Sequence, residues 1–202
     1  MRGRLGDRQR WTVPLSLAVS FLANDGEELL TLVPTWPDVL DRLPVDVSVP
    51  SWVRDVDQCH VNVGIAMMGA LCAAAVADGV RSRGRGSLYQ DFQWVFGLHG
   101  FGHIAAALVF RRYATGVASS PIVVIPQLGF ALRALRRAGV PHAIRPVRAL
   151  ARIGAWLALS HAAGAAVSAA RRPPLCFPDP GGPVRHGHRL RHPRYRTLCH
   201  AG

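Results

Sequence analysis

The chain alternates between apolar runs long enough to cross a lipid bilayer and clusters of arginine. Five such runs stand out, at residues 11–33, 60–77, 88–110, 113–132 and 153–170. Each is close to the ~20 residues that a helix rising 1.5 Å per residue needs to cross the hydrocarbon core. The second and fourth carry no charge, and the third carries only Asp91. The fifth is rich in Ala and Gly, which lets helices approach closely in lipid. Runs that are apolar on every side suit a lipid solvent better than an aqueous one. The alternative is five buried helices of a soluble all-α domain, where charge-free runs of this length are rare. The expected architecture is therefore all-α: a polytopic membrane helix bundle of about five transmembrane helices, with its N-terminal residues 1–10 and a tail at 171–202 outside the bundle.

Charge placement sharpens this expectation. The 24 basic residues are all Arg, against ten Asp and two Glu, for a formal net charge of +12. Half of the residues are hydrophobic, which excludes intrinsic disorder of the whole chain, and four Cys exclude a disulfide scaffold. A basic protein suggests nucleic acid, but a nucleic-acid face mixes Arg with polar and aromatic residues on one element. Here the Arg residues lie between the runs. Arg2, Arg4, Arg8 and Arg10 precede the first; Arg81, Arg83 and Arg85 follow the second; Arg133, Arg136, Arg137, Arg145, Arg148 and Arg152 follow the fourth. The loop at 34–59 instead holds Asp38, Asp41, Asp46, Asp55 and Asp57 against Arg42 and Arg54. The positive-inside rule then predicts a multi-pass protein of the cell membrane with a cytoplasmic N-terminus. Its expected partner is the lipid bilayer, with no role for nucleic acid. Arg111 and Arg112 would snorkel to the outer interface. A cleaved signal peptide at 11–23 is the competing reading, and Phe21 stands where cleavage after Ala23 needs a small residue.

The tail from Arg171 to Gly202 has seven Arg, four His and six Pro, too polar to bury a core, and is expected to be disordered. Cys176, His186, His188 and Cys199 lack the paired spacing of a zinc site.

Ionisable groups inside a lipid-crossing run cost several kcal/mol on insertion scales (~2.5–3.5 each) and so ask for a reason. The first run contains Asn24, Asp25, Gly26, Glu27 and Glu28, and this pair is the chain's whole supply of Glu. Asn24, Glu27 and Glu28 stand at i, i+3 and i+4, on one helical face. His99 and His103, at i and i+4, share a face of the third run, among Gly97, Gly100 and Gly102. Counting from the run centres, Glu28 lies about 9 Å and His103 about 6 Å toward the outer side. The two clusters thus lie at similar depth, and His161 in the fifth run can join them. Glu27, Glu28, His99 and His103 are the candidate catalytic residues and the candidate ligands of zinc or non-haem iron; Asn24, Asp25 and His161 are supporting candidates. Two function classes follow. One is an enzyme with a metal-assisted or acid/base site acting on a lipid-like substrate. The other is a non-catalytic membrane module (a partner, transporter accessory or scaffold) in which the same polar cluster only holds helices together. No phosphate loop or dinucleotide fingerprint is present. His60 reads as interfacial, Cys59 and Cys72 as free thiols, and Ser119-Ser120-Pro121 as packing and capping residues.

At these residues the chain resembles the HXXEE-domain family of small bacterial integral membrane proteins. The matching segment is Phe21-Leu22-Ala23-Asn24-Asp25-Gly26-Glu27-Glu28-Leu29-Leu30, leading to Pro34-Thr35-Trp36. A second block runs Leu98-His99-Gly100-Phe101-Gly102-His103-Ile104-Ala105, then Arg112-Tyr113-Ala114-Thr115-Gly116-Val117 and Pro121. The likeness covers about residues 11–140. It implies membrane placement and the same site residues, and it implies no reaction, because the family's function is unassigned. The chain departs from the pattern at the name-giving position, where Asn24 replaces the motif His. Asn hydrogen-bonds but does not titrate and binds metals poorly.

Overall fold

In the computed structural model, residues 3–42 and 48–171 are described; the expected disordered tail with its Cys and His residues, and Asp46 of the acidic loop, lie outside them. All regular structure among the described residues is helical, with no strand. Helix α1 runs Gln9–Leu40, a single turn α2 is Ser51–Arg54, α3 is Gln58–Ser82 and α4 is Ser87–Phe110. A π-helical turn, Ser120–Val124, leads directly into α5, Ile125–Arg137, and α6 is Pro146–Arg171. Within α3, α4 and α6, the segments Gln58–Arg81, Ser87–Phe110 and Pro146–Arg171 are long and apolar enough to cross a membrane. Helix α3 is central, packing most extensively against α6 and α1 and then against α4.

Two of the expected runs fold differently from the sequence reading. The first was expected to end at residue 33, before Pro34, but α1 continues through Pro34 and Pro37 to Leu40. Each Pro withholds one backbone donor without forbidding the helix. Threonine hydroxyls bond back within the same turns, from Thr31 to Glu27 O at 2.8 Å and from Thr35 to Thr31 O at 2.7 Å. Trp36 Nε1 donates to Val53 O at 2.8 Å and ties the extension to α2. The fourth run was expected to be helical from residue 113, but its helix starts only at Ser120. Gly116 has φ +75°, a left-handed conformation that breaks the helix there. The helix then opens in π register, with Ile125 N–H reaching back five residues to Ser120 O. Pro126 follows and has no N–H to give Ile122 O, which favours the shifted register.

Among the described residues, large apolar side chains lie on the outside, and polar side chains are buried beside an apolar core. Val19, Leu22 and Leu30 of α1, Leu108 and Val109 of α4, and Ile122 are at least 65% exposed. Ser20, Asn24, Asp91, Ser120 and Ser160 are completely buried. Between them, Leu17, Phe21, Cys72, Phe92, Phe96, Val124 and Ile153 form the apolar core. Phe21, Phe92 and Phe96 pack as a triangle of rings with centroids 5.9–6.2 Å apart.

Buried polar pairs set the helix register. Asp91, fully buried near the start of α4, receives Arg148 at 3.1 Å and Arg152 at 3.2 Å from the first turns of α6. The side-chain amides of Gln93 and Gln127 exchange hydrogen bonds of 2.7 and 2.9 Å between α4 and α5. Of the glycines around His99 and His103, two make close helix contacts. A Cβ on Gly97 would lie 2.5 Å from Leu128 and one on Gly100 2.8 Å from Val124, so these two glycines let α5 and the π turn approach α4. Gly102 faces open space.

Candidate metal and acid–base site

Helix α1 presents Glu28, and one face of α4 presents His99 and His103. Glu28 Oε1 lies 3.0 Å from His99 Nε2 and 2.9 Å from His103 Nε2, and the two nitrogens are 2.7 Å apart. Three ligand-type atoms thus converge on one point. A tetrahedral zinc with bonds of about 2.0–2.1 Å holds its ligands roughly 3.3 Å apart, so a few tenths of an ångström of opening would seat one. Glu28 and His103 are buried, while His99 keeps 47% of its side-chain surface and forms the open side of the triangle.

Of the sequence candidates, the structure brings Glu28, His99 and His103 together and leaves Glu27 out. Successive helical residues point about 100° apart, so adjacent carboxylates cannot share a target. Glu27 turns instead to the loop between α4 and the π turn. Its carboxylate accepts Ser119 N–H at 2.8 Å, Ala118 N–H at 3.1 Å and the Tyr113 hydroxyl. Thr31 and Thr115 hydroxyls pair at 2.8 Å beside it. This latch lays the loop over the site: a Cβ on Gly116 would sit 2.6 Å from His103 Nε2. Asn24, fully buried at the motif's His position, donates from Nδ2 to Glu28 Oε1 at 2.8 Å and accepts the Ser119 hydroxyl at 3.1 Å. It thus bonds the same Glu28 oxygen that faces the two imidazoles. Ser119 thus packs as its sequence context suggests but makes no side-chain cap: its hydroxyl goes to Asn24 Oδ1 and Gly116 O.

His161 does not reach this triangle. It meets His60 of α3 instead, with His60 Nε2 and His161 Nδ1 3.1 Å apart. His60 is 2% exposed, because α6 packs over it at the start of α3. Arg112 pairs with Asp38 at 2.8 Å, and Arg42 donates to Phe110 O at 2.9 Å, closing the end of α1 onto the end of α4.

Both histidine groups open onto one cleft of about 490 Å³. Asp25, Glu28, His99, His103, His60 and His161 are its ionisable lining; Phe21, Met68, Phe92, Phe96, Ile153 and Leu157 belong to its apolar walls. The volume suits a small-molecule site, and such sites combine apolar walls with a few convergent polar groups.

A family model described as "Protein of unknown function with HXXEE motif" matches residues 16–131, more than half of the chain. The chain belongs to the HXXEE family. The matched region holds the motif segment with Glu27 and Glu28, all of α3 and α4, and the loop that closes over His103. In this HXXEE protein Asn24 stands at the motif's His and donates to Glu28. No curated protein and no solved structure matches it.

Proposed function

We propose that this HXXEE protein is a multi-pass membrane protein, N-terminus inside, whose Glu28–His99–His103 triangle binds a zinc or iron ion and acts on a lipid-like molecule held in the adjoining cleft. The observation that carries the reading is the convergence of one carboxylate oxygen and two imidazole nitrogens within 3.0 Å of one another. Two His and one carboxylate are the ligand set of many zinc hydrolases and non-haem iron enzymes, and three protein ligands leave a position open for water or substrate. The open side here is His99, which lines the cleft. A bound metal would polarise a substrate oxygen or activate a water. The chain's own residues supply the rest. Asn24 orients Glu28, the Glu27 latch closes the site, and the phenylalanine wall excludes water. Five crossings are supported by the exposed apolar faces of α1 and of the π turn with α5, beside the three helices already long and apolar enough. The arginine clusters support the orientation.

Metal content of protein purified in detergent without chelators tests the site. The expected result is about one zinc or iron per chain, falling to background in Glu28→Gln and rising in affinity in Asn24→His, which adds a fourth donor. Folded, metal-free wild-type protein that takes up no added metal overturns the proposal and leaves the triangle a structural network.

A further inference from the structure

The start of α1, the end of α3, the start of α4, the end of α5 and the start of α6 meet at one end of the bundle, the end that the proposed topology puts inside. The connections there are tied to one another. Leu5 N–H donates to Arg83 O at 3.0 Å. Gln90 of α4, 3% exposed, donates to Gly84 O at 2.9 Å and to Pro141 O at 3.1 Å, and its Oε1 accepts Ala143 N–H at 2.8 Å. These bonds hold the loop between α5 and α6 against the first turn of α4, beside a shallow groove. Trp94, Leu132 and Leu135 are among its apolar walls, and Arg136 and His142 are its ionisable lining. Gln90 and Arg136 lie about 6 Å nearer the helix ends than Trp94 and Leu132, four residues at 1.5 Å each, so the groove is charged at its inner end and apolar deeper in. The apolar side continues along α4, where Leu98 and Phe101 stand at i+4 and i+7 from Trp94 and are 41% and 49% exposed.

We infer that this groove seats an anionic phospholipid of the inner leaflet, with its phosphate on Arg136 and His142 and an acyl chain along Trp94, Leu98 and Phe101. Arg136 is exposed and enters none of the ion pairs among the described residues, so its guanidinium fork is open to phosphate oxygens. The imidazole of His142 adds an N–H donor. Trp94 has the amphipathic ring that favours this depth of a bilayer. The surrounding charges select the head group. Arg133, Arg137 and Arg145 are exposed at the same end. The acids there are engaged: Asp7 pairs with Arg83 at 2.8 Å, Asp91 holds Arg148 and Arg152, and Asp78 accepts Tyr89 N–H at 3.1 Å. A zwitterionic lipid would bring its ammonium among arginines and meet no open carboxylate, whereas a lipid of net negative charge brings no ammonium. This inference rests on the membrane placement proposed above and not on the metal.

The test titrates the full chain, extracted from the membrane fraction and delipidated in detergent, with dioleoylphosphatidylglycerol or dioleoylphosphatidylcholine, and reads bound lipid by native mass spectrometry. The expected result is about one phosphatidylglycerol per chain, held at least about fivefold tighter than phosphatidylcholine. Arg136→Gln is expected to weaken phosphatidylglycerol at least about fivefold. Arg137→Gln removes the same charge from the same turn but outside the groove, and is expected to weaken it less than about twofold. Equal affinity of the unmodified chain for the two lipids overturns the inference, a readout that does not depend on any variant folding. Unchanged affinity in a folded Arg136→Gln overturns it as well, and so do equal losses in the two variants, which would replace the groove with a diffuse basic field. Equal lipid affinities in a chain recovered from membranes leave the membrane placement standing; a chain found only in the soluble fraction overturns both.

Discussion

Glu27 and Glu28 are neighbours with divergent tasks, and the divergence follows from helical geometry alone. Glu28 points into the bundle, toward two imidazoles, and Glu27 points along its surface, toward backbone N–H groups of the loop. The sequence shows that the pair is unusual, and the i, i+4 spacing of His99 and His103 shows that they share a face. It does not show which carboxylate they meet, because that depends on the rotation of α1 about its own axis. The partners of Asp91 and His60 were hidden for a similar reason. Arg148, Arg152 and His161 come from α6, more than fifty residues away, and no local spacing announces them. The most demanding single position is Gly116, with φ +75° and no room for a Cβ beside His103. Gly116→Ala is expected to cost about 1–2 kcal/mol for its left-handed backbone alone, with further loss from displacing the imidazole. Circular-dichroism melts in detergent should show a lower midpoint than wild type and weaker metal retention. Gly102→Ala, which faces open space, should melt like wild type or slightly higher. Equal midpoints for the two variants would remove the loop from over the site.

At the scale of elements, apolar run length located the long helices, since α3, α4 and α6 begin within about seven residues of their expected starts. It failed where polar contacts rather than hydropathy set the boundary. Helix α1 outruns Pro34 because threonine hydroxyls and Trp36 support the extra turns. Residues 113–119 are apolar enough for a span and yet form the loop that Glu27 captures. Helix α1 also carries the boldest part of the proposed topology, that a helix bearing four carboxylates, Asp25, Glu27, Glu28 and Asp38, crosses lipid. In a chain with its native cysteines replaced by serine, a membrane-impermeant maleimide should label Asp41→Cys in intact cells and Gly6→Cys only after lysis. Labelling of both on the same side would show that α1 does not cross.

At the scale of the whole molecule, the described residues carry large apolar side chains on their surface, and a carboxylate, amides, hydroxyls and imidazoles lie buried beside an apolar core. That arrangement suits the proposed membrane placement, in which the arginine clusters set the orientation. It also explains why a polar cluster can persist in lipid: Glu28 Oε1 has Asn24, His99 and His103 around it, and Glu27 has three donors. The cleft could not be read from the sequence, because it is bounded by α1, α3, α4 and α6 together and no single run reveals it. X-ray absorption at the zinc edge, on protein loaded with about one equivalent of zinc, examines the centre of this account most directly. The account predicts nitrogen and oxygen scatterers at about 2.0–2.1 Å with the outer-shell signature of about two imidazoles. A sulfur shell near about 2.3 Å, or a light-atom shell without imidazole scattering, would contradict it.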